Sequence, residues 1–382
     1  LADHGTTPGQ FEATPLMIDG TLFVTTPYNS IAALDAETGK ELWRFDGAAY
    51  ELGQLLSGSG WKLRGTAVWR DAQGRLRLLL NSRHRLFMLD AATGKPVTTF
   101  GNGGAVSLTQ GLPRIGDITH VSQSSPPVIY RNLVIVGSQV PDRVQLPDPM
   151  GYVQAFDANT GRRVWYFSTI PQSATDPGAD SWENESWRQN GHANVWAPMA
   201  LDEARGLLYL PTSTPTSDYY GGQRPGANLF AESLVAVDLK TGVRKWHFQF
   251  VHHPLWDHDM SSAPLLIDTT IDGKPRKVVA VPSKQGWLYC FDRITGVPIW
   301  PIEERPVPQS TIKHEKTSPT QPFVTKPPAY SRTHITENDL VDFTPGLRAQ
   351  VLKNLTKFRW EPIPYVPPTG PESPNLLGAI NI

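Results

Sequence analysis

One cysteine, Cys290, in 382 residues excludes an internal disulfide, a four-cysteine zinc site and a CxxCH haem-attachment motif within this chain. No apolar run approaches the roughly 18 residues that a membrane-spanning helix needs. Neither sign of charge dominates: 35 Lys and Arg stand against 36 Asp and Glu, for a formal net charge of −1. That balance gives no electrostatic ground for expecting nucleic acid or an anionic membrane as a partner. The opening Leu1-Ala2-Asp3-His4-Gly5 does not read as a signal peptide. A nicotinamide fingerprint is also missing: its nearest approach, Gly58-Ser59-Gly60-Trp61-Lys62-Leu63, lacks the third glycine.

Breaker residues, by contrast, are abundant. The chain has 32 Gly and 35 Pro, with proline well above its usual share of about 5%. Proline costs about 3 kcal/mol inside a helix, which argues against a helical bundle or coiled coil. The length is enough for a large core in one big all-β domain or in two smaller ones.

A repeated unit supports that class. An apolar run ending in Asp, followed by x-x-Thr-Gly, recurs at Asp35, Asp90, Asp157, Asp238 and Asp292. The copies are separated by 55, 67, 81 and 54 residues. Four of them place a Trp four positions after the Gly (Trp43, Trp165, Trp246 and Trp300), and the second has Thr98 there. Each apolar run reads as a strand, the Asp as the opening of a turn and the Gly as its φ > 0 position. Another β-rich run precedes each copy, for example Leu133-Val134-Ile135-Val136. Units of three or four strands at this long, uneven spacing fit the four-stranded blades of a β-propeller, not the coils of a solenoid. The repeats occupy about residues 10–300, and the Pro-rich stretch 301–382 reads as irregular. The whole reads as one propeller domain over 1–382, a partial ring lacking further C-terminal blades, since an open ring would leave strand edges exposed.

These units resemble the tryptophan-docking repeats of the pyrroloquinoline quinone (PQQ) dehydrogenases. The resemblance is most specific over residues 192–300: His252-His253-Pro254-Leu255-Trp256-Asp257-His258-Asp259, then Pro282-Ser283-Lys284-Gln285-Gly286, with Lys284 lying 27 residues after Asp257. Asn194-Val195-Trp196-Ala197-Pro198 and Ser318-Pro319-Thr320-Gln321-Pro322-Phe323 also match. The pattern is similar to the glucose (aldose) and polyol branch. It lacks the vicinal Cys pair of the alcohol and methanol branch.

The resemblance implies an eight-bladed fold and oxidation of a sugar, polyol or other alcohol by hydride transfer to the quinone. It implies that Asp257 is the general base and that Lys284 serves both catalysis and the cofactor. Trp196 would be the stacking face, and Arg64 and Ser124 would hold cofactor carboxylates. A planar tricarboxylate needs flat faces and cations, and guanidinium can grip a carboxylate at two points. The family's Ca²⁺ takes hard oxygen ligands, for which Asp142 is the first candidate and Asp148 the second. A competing reading makes His252, His253, Asp257, His258 and Asp259 a transition-metal cluster. On a strand, alternation of side chains would keep most of them from one ion.

The expectation is therefore a periplasmic dehydrogenase, associated or not with the outer face of the inner membrane. It would use PQQ and Ca²⁺ and pass electrons to ubiquinone or a cytochrome c. The rival reading is a non-catalytic propeller of the same repeats that serves as a binding or assembly scaffold.

Overall fold

Every Asp-x-x-Thr-Gly copy folds in the same way in the computed structural model, which describes residues 4–54, 61–141, 146–370 and 378–380. In the first copy, Asp35 Oδ1 accepts from both the backbone N–H and the hydroxyl of Thr38, each at 2.7 Å. The same pair of bonds joins Asp90 to Thr93, Asp157 to Thr160, Asp238 to Thr241 and Asp292 to Thr295. The Gly N–H then donates to the Asp carbonyl. All five glycines sit at φ between 70° and 73°, where an L side chain is strained.

The strands between these turns form antiparallel meanders. The first sheet is β1 (Leu16–Ile18), β2 (Thr21–Thr25), β3 (Ile31–Asp35) and β4 (Glu41–Phe45), in that order. The second is β5 (Ala67–Arg70), β6 (Leu76–Ser82), β7 (Arg85–Asp90) and β8 (Ala105–Ser107). The third is β9 (Val128–Tyr130), β10 (Leu133–Val136), β11 (Tyr152–Asp157) and β12 (Arg163–Ser168). The fourth is β13 (Ala200–Asp202), β14 (Leu207–Pro211), β15 (Ser233–Asp238) and β16 (Arg244–Gln249). A three-stranded sheet follows, of β17 (Leu265–Ile271), β18 (Lys274–Pro282) and β19 (Leu288–Asp292). The all-β expectation and the blade unit both hold.

The stretch 301–382 is not irregular throughout. It carries a two-stranded sheet, β20 (Ile302–Pro306) with β21 (Thr320–Val324), and one α-helix, α1 (Pro345–Leu355). Proline did not prevent the helix because Pro345 sits in its first turn, where its missing N–H costs nothing. Thr344 caps the helix by accepting from the Leu347 N–H.

By internal contacts the chain divides into two compact units. Unit 1 is Leu1–Thr169, Asn194–Leu208 and Val237–Arg244, and unit 2 is Ile170–Ala193, Tyr209–Ala236 and Lys245–Ile382. In unit 1, Phe23, Ile31, Leu78, Leu80 and Leu89 form one buried cluster, and Leu79, Met88, Val134, Val136 and Phe156 form another. Inner strands such as β11 are buried on both faces, which is why their sequences run apolar without alternation.

The repeat tryptophans explain the glycines a second time. In unit 1 the Trp43 indole N–H donates to the Ala91 carbonyl and the Trp165 indole N–H to the Leu239 carbonyl. In both cases the ring lies against the Gly of another copy. A Cβ on Gly94 would come within 2.4 Å of Trp43, and one on Gly242 within 2.6 Å of Trp165. In unit 2, Gly296 faces Trp246 in the same manner, at 2.5 Å. Gly242→Ala is therefore expected to destabilise the protein by about 2 kcal/mol, from left-handed strain and ring displacement together. Chemical denaturation with an unchanged m-value would check this. The second copy, with Thr98 in place of Trp, provides no such ring. Gly161 instead meets Gly101 and Val106, and a cavity of about 800 Å³ lined by these residues and Phe156 opens there.

Candidate active site

In unit 1 the chain brings together three residues expected to hold the cofactor. Arg64 Nη1 donates to Ser124 Oγ at 2.6 Å, and the Arg64 backbone N–H donates to the Ser124 carbonyl at 2.7 Å. The Ser124 hydroxyl in turn donates to the Trp196 carbonyl at 3.3 Å, and Ser125 donates to the same oxygen at 2.7 Å. The guanidinium carbon lies 5.1 Å from the centre of the Trp196 ring, within cation–π range. Ser124 is fully buried, while Arg64 and Trp196 are half-buried. Arg64 also grips a carboxylate here: Glu12 Oε2 lies 2.9 Å from its Nη2, with Lys62 3.6 Å from the other oxygen. A cationic fork, a hydroxyl and an indole on one patch fit an aromatic polycarboxylate. The sequence did not single out Glu12, which stands in no matching motif, or Ser125, whose neighbour Ser124 carries the match.

Unit 2 holds the other two residues. Lys284 lies in the turn after β18, in which the Gly286 N–H donates to the Ser283 carbonyl and Gly286 takes φ 83°. Its Nζ donates to the Asp257 carbonyl at 2.7 Å and lies 3.5 Å from Asp257 Oδ1. Asp259 Oδ2 is 3.7 Å from the same ammonium. Burial works against the lysine's charge, but Asp259, Asp257 and Glu232 outweigh it and hold the ammonium above the ordinary lysine range.

The segment carrying Asp257 is not a strand. It is an irregular loop with left-handed residues at His253 (φ 49°) and Asp257 (φ 54°). The transition-metal reading consequently fails for a different reason from strand alternation. His253 turns to Gly226 and Glu315, His252 turns to Gln249 and Glu304, and among the described residues no three His, Cys, Asp or Glu side chains are grouped to hold an ion. Trp256 anchors the loop: its indole N–H donates to the Val366 carbonyl at 2.9 Å, and its ring meets Tyr365 edge-on. The segment after residue 300 thus supports the candidate catalytic loop.

Two further groups in unit 2 escaped the sequence reading. Thr214 donates its backbone N–H to Asp259 Oδ1 at 2.7 Å and its hydroxyl to Glu232. Glu232 is fully buried, just ahead of β15. Burial pushes its carboxyl up to about 8; Thr214 opposes this, Asp259 reinforces it, and Lys284 and Asp257 act more weakly in opposite senses. The only sequence signal was an acid immediately before an apolar strand. Of the two calcium candidates, Asp142 lies outside the described residues and Asp148 is buried; the Gly58–Gly60 stretch of the missing nicotinamide fingerprint also lies outside them.

Comparison with known proteins adds the following. The model of the PQQ-type glucose/ethanol/alcohol dehydrogenase β-propeller domain matches residues 2–381. Quinoprotein glucose dehydrogenase of Escherichia coli is 33% identical over 334 residues, which are 83% of this chain and 40% of that protein. The glycerol dehydrogenase large subunit of Gluconobacter oxydans is 34% identical over 348 residues, 87% of this chain and 45% of the relative. Among solved structures, quinohemoprotein alcohol dehydrogenase from Comamonas testosteroni superposes with a TM-score of 0.65 at 26% identity, covering 83% of this chain and 46% of that one. The chain spans less than half the length of these relatives. Glucose and glycerol dehydrogenases among them agree with the glucose and polyol branch expected from the motifs.

Proposed function

From the premise that this chain belongs to the PQQ-type glucose/ethanol/alcohol dehydrogenase β-propeller family, we propose that it serves the oxidation of a sugar, polyol or other alcohol. When bound, PQQ supplies the two-electron acceptor that no side chain can be. Asp257 takes the substrate hydroxyl proton as general base. Lys284 lends positive charge where negative charge develops during transfer. Arg64, Ser124 and Trp196 hold and orient the cofactor. The observation that carries this reading is the Lys284 ammonium set 2.7 Å from the Asp257 carbonyl and 3.5 Å from its carboxylate, a base and a cation presented together.

Calcium belongs to the proposal through the resemblance alone, with Asp142 and Asp148 as its candidates, and no step above depends on it. A periplasmic setting and electron transfer to ubiquinone or a cytochrome c complete the reading. A haem attached through CxxCH cannot lie in this chain, which has a single Cys.

The test is reconstitution with PQQ and Ca²⁺, followed by dye reduction with aldoses, polyols and simple alcohols. Reduction with one class would support the proposal and name the substrate. No reduction, together with undetectable PQQ binding, would leave the scaffold reading in its place. Arg64→Gln is expected to weaken PQQ binding about 10- to 100-fold, the scale of one hydrogen bond to a charged group. Quenching of tryptophan fluorescence on PQQ titration would measure it, and an unchanged affinity would remove Arg64 from the role.

A further inference from the structure

Glu232 has no part in the function just proposed, yet it shares unit 2 with the base and the lysine. Its side chain is fully buried. One oxygen accepts from the Thr214 hydroxyl, and the other is buried with no hydrogen-bond partner among the described residues. Thr214 bonds Asp259 through its backbone N–H, and Asp259 and Asp257 both flank Lys284. Two carboxylates thus flank the ammonium, and Glu232 acts on it by charge from further off. Arg224, the other cation acting on Glu232, is committed to the carbonyls of Thr216, Ser217 and Pro254 and to Asn228. Tyr289 and Tyr365 also interact with Glu232 through charge.

A buried carboxylate without an ion pair is costly, and the group neutralises instead. Glu232 also stands at φ 41°, a left-handed conformation that a glutamate adopts at a cost.

We propose that Glu232 is the protonated member of this cluster, a positioning residue that keeps two carboxylates, not three, around the Lys284 ammonium through the neutral range. It acts through Thr214 and Asp259 on the Lys284–Asp257 pair. Only the catalytic consequence rests on the function proposed above; the protonation itself does not.

The sign of the stability effect is fixed. A carboxyl raised from about 4.5 to about 8 in the folded state contributes stability that is complete below the lower value and lost as pH rises through the upper one. Infrared spectroscopy of the cofactor-free protein should show a buried protonated carboxyl band at pH 7 that vanishes above pH about 8 and is missing in Glu232→Gln. Between pH 5 and 9 the folded-to-unfolded ratio of the parent should fall, relative to Glu232→Gln, by on the order of 10³-fold. In the reconstituted enzyme, Glu232→Gln should keep turnover near neutrality and lose an alkaline limb that the parent shows. No protonated carboxyl band in the parent at pH 7, or unfolding curves for parent and variant that run parallel across pH, would overturn the proposal. Both readouts are made without cofactor, so a failure of the dehydrogenase reading would leave them decisive.

Discussion

Asp257→Asn is expected to lower dye-linked turnover by about 100-fold or more, the scale of a lost general base, while PQQ binding persists. The amide keeps the size and shape of the carboxyl but cannot take a proton. The loop around it should stay in place, because Trp256 is tied to the Val366 carbonyl and to Tyr365 independently of the Asp257 side chain. Lys284 also keeps its shorter contact, which goes to the Asp257 carbonyl and not to the carboxylate. Binding and turnover should consequently separate. Turnover equal to the parent's would remove Asp257 from the role, and lost binding would mean that the carboxylate holds the cofactor.

The largest stability effect is expected at Glu315. Its carboxylate and the His253 ring are both almost completely buried, with Nε2 2.5 Å from Oε1. The same carboxylate accepts the Gly221 N–H at 2.5 Å, and His253 Nδ1 faces the Gly226 carbonyl at 2.8 Å. One side chain thus joins the segment before β21 to the loop at Gly221 and to the loop that carries Asp257. Removing one partner of a buried pair strands the other, and Glu315→Ala should cost about 3–5 kcal/mol, readable as a lower denaturation midpoint.

The pH dependence of this pair runs opposite to that of Glu232. Burial alone would raise the Glu315 carboxyl, but the bond and charge of His253, the Gly221 N–H and Arg224 outweigh it and hold it below the ordinary glutamate range. A group lowered in the folded state contributes stability that is present above its unfolded value near 4.5 and lost as pH falls through its folded value. Glu315→Gln should therefore flatten the acid limb of the stability curve, whereas Glu232→Gln flattens the alkaline side. Scanning unfolding from pH 3 to 9 in the parent and both variants separates the two effects, and an acid limb unchanged by Glu315→Gln would refute the assignment.

The two glutamates also show where sequence reasoning stopped. The turns were legible because Asp, Thr and Gly act on one another within five residues, and five copies make the pattern unmistakable. Lys284 and Asp257 were legible because they stand in matching motifs at a fixed separation. Glu315 lies 62 residues from His253 and Glu232 lies 18 from Thr214, in segments with no periodicity or motif to mark them. Within residues 301–382, read as irregular, no pattern marked the β20–β21 pair or α1. Pro345 begins a helix instead of breaking one, and Pro306 and Pro322 sit in the two strands of an edge hairpin.

The amino-acid order alone determined that this protein is built from β-meanders closed by Asp-x-x-Thr-Gly turns, since those bonds form between near neighbours whatever surrounds them. Resemblance to the PQQ dehydrogenases singled out Arg64, Ser124, Trp196, Asp257 and Lys284, and folding brings the first three together in unit 1 and the last two in unit 2. Tertiary structure decided which charges survive burial. Whether a carboxyl is ionised depends on the cations, carbonyls and solvent around it, and folding alone assembles those surroundings from distant parts of the chain. That is why one buried glutamate is held as an anion by an imidazole and another, beside two aspartates and a shared lysine, is driven to keep its proton.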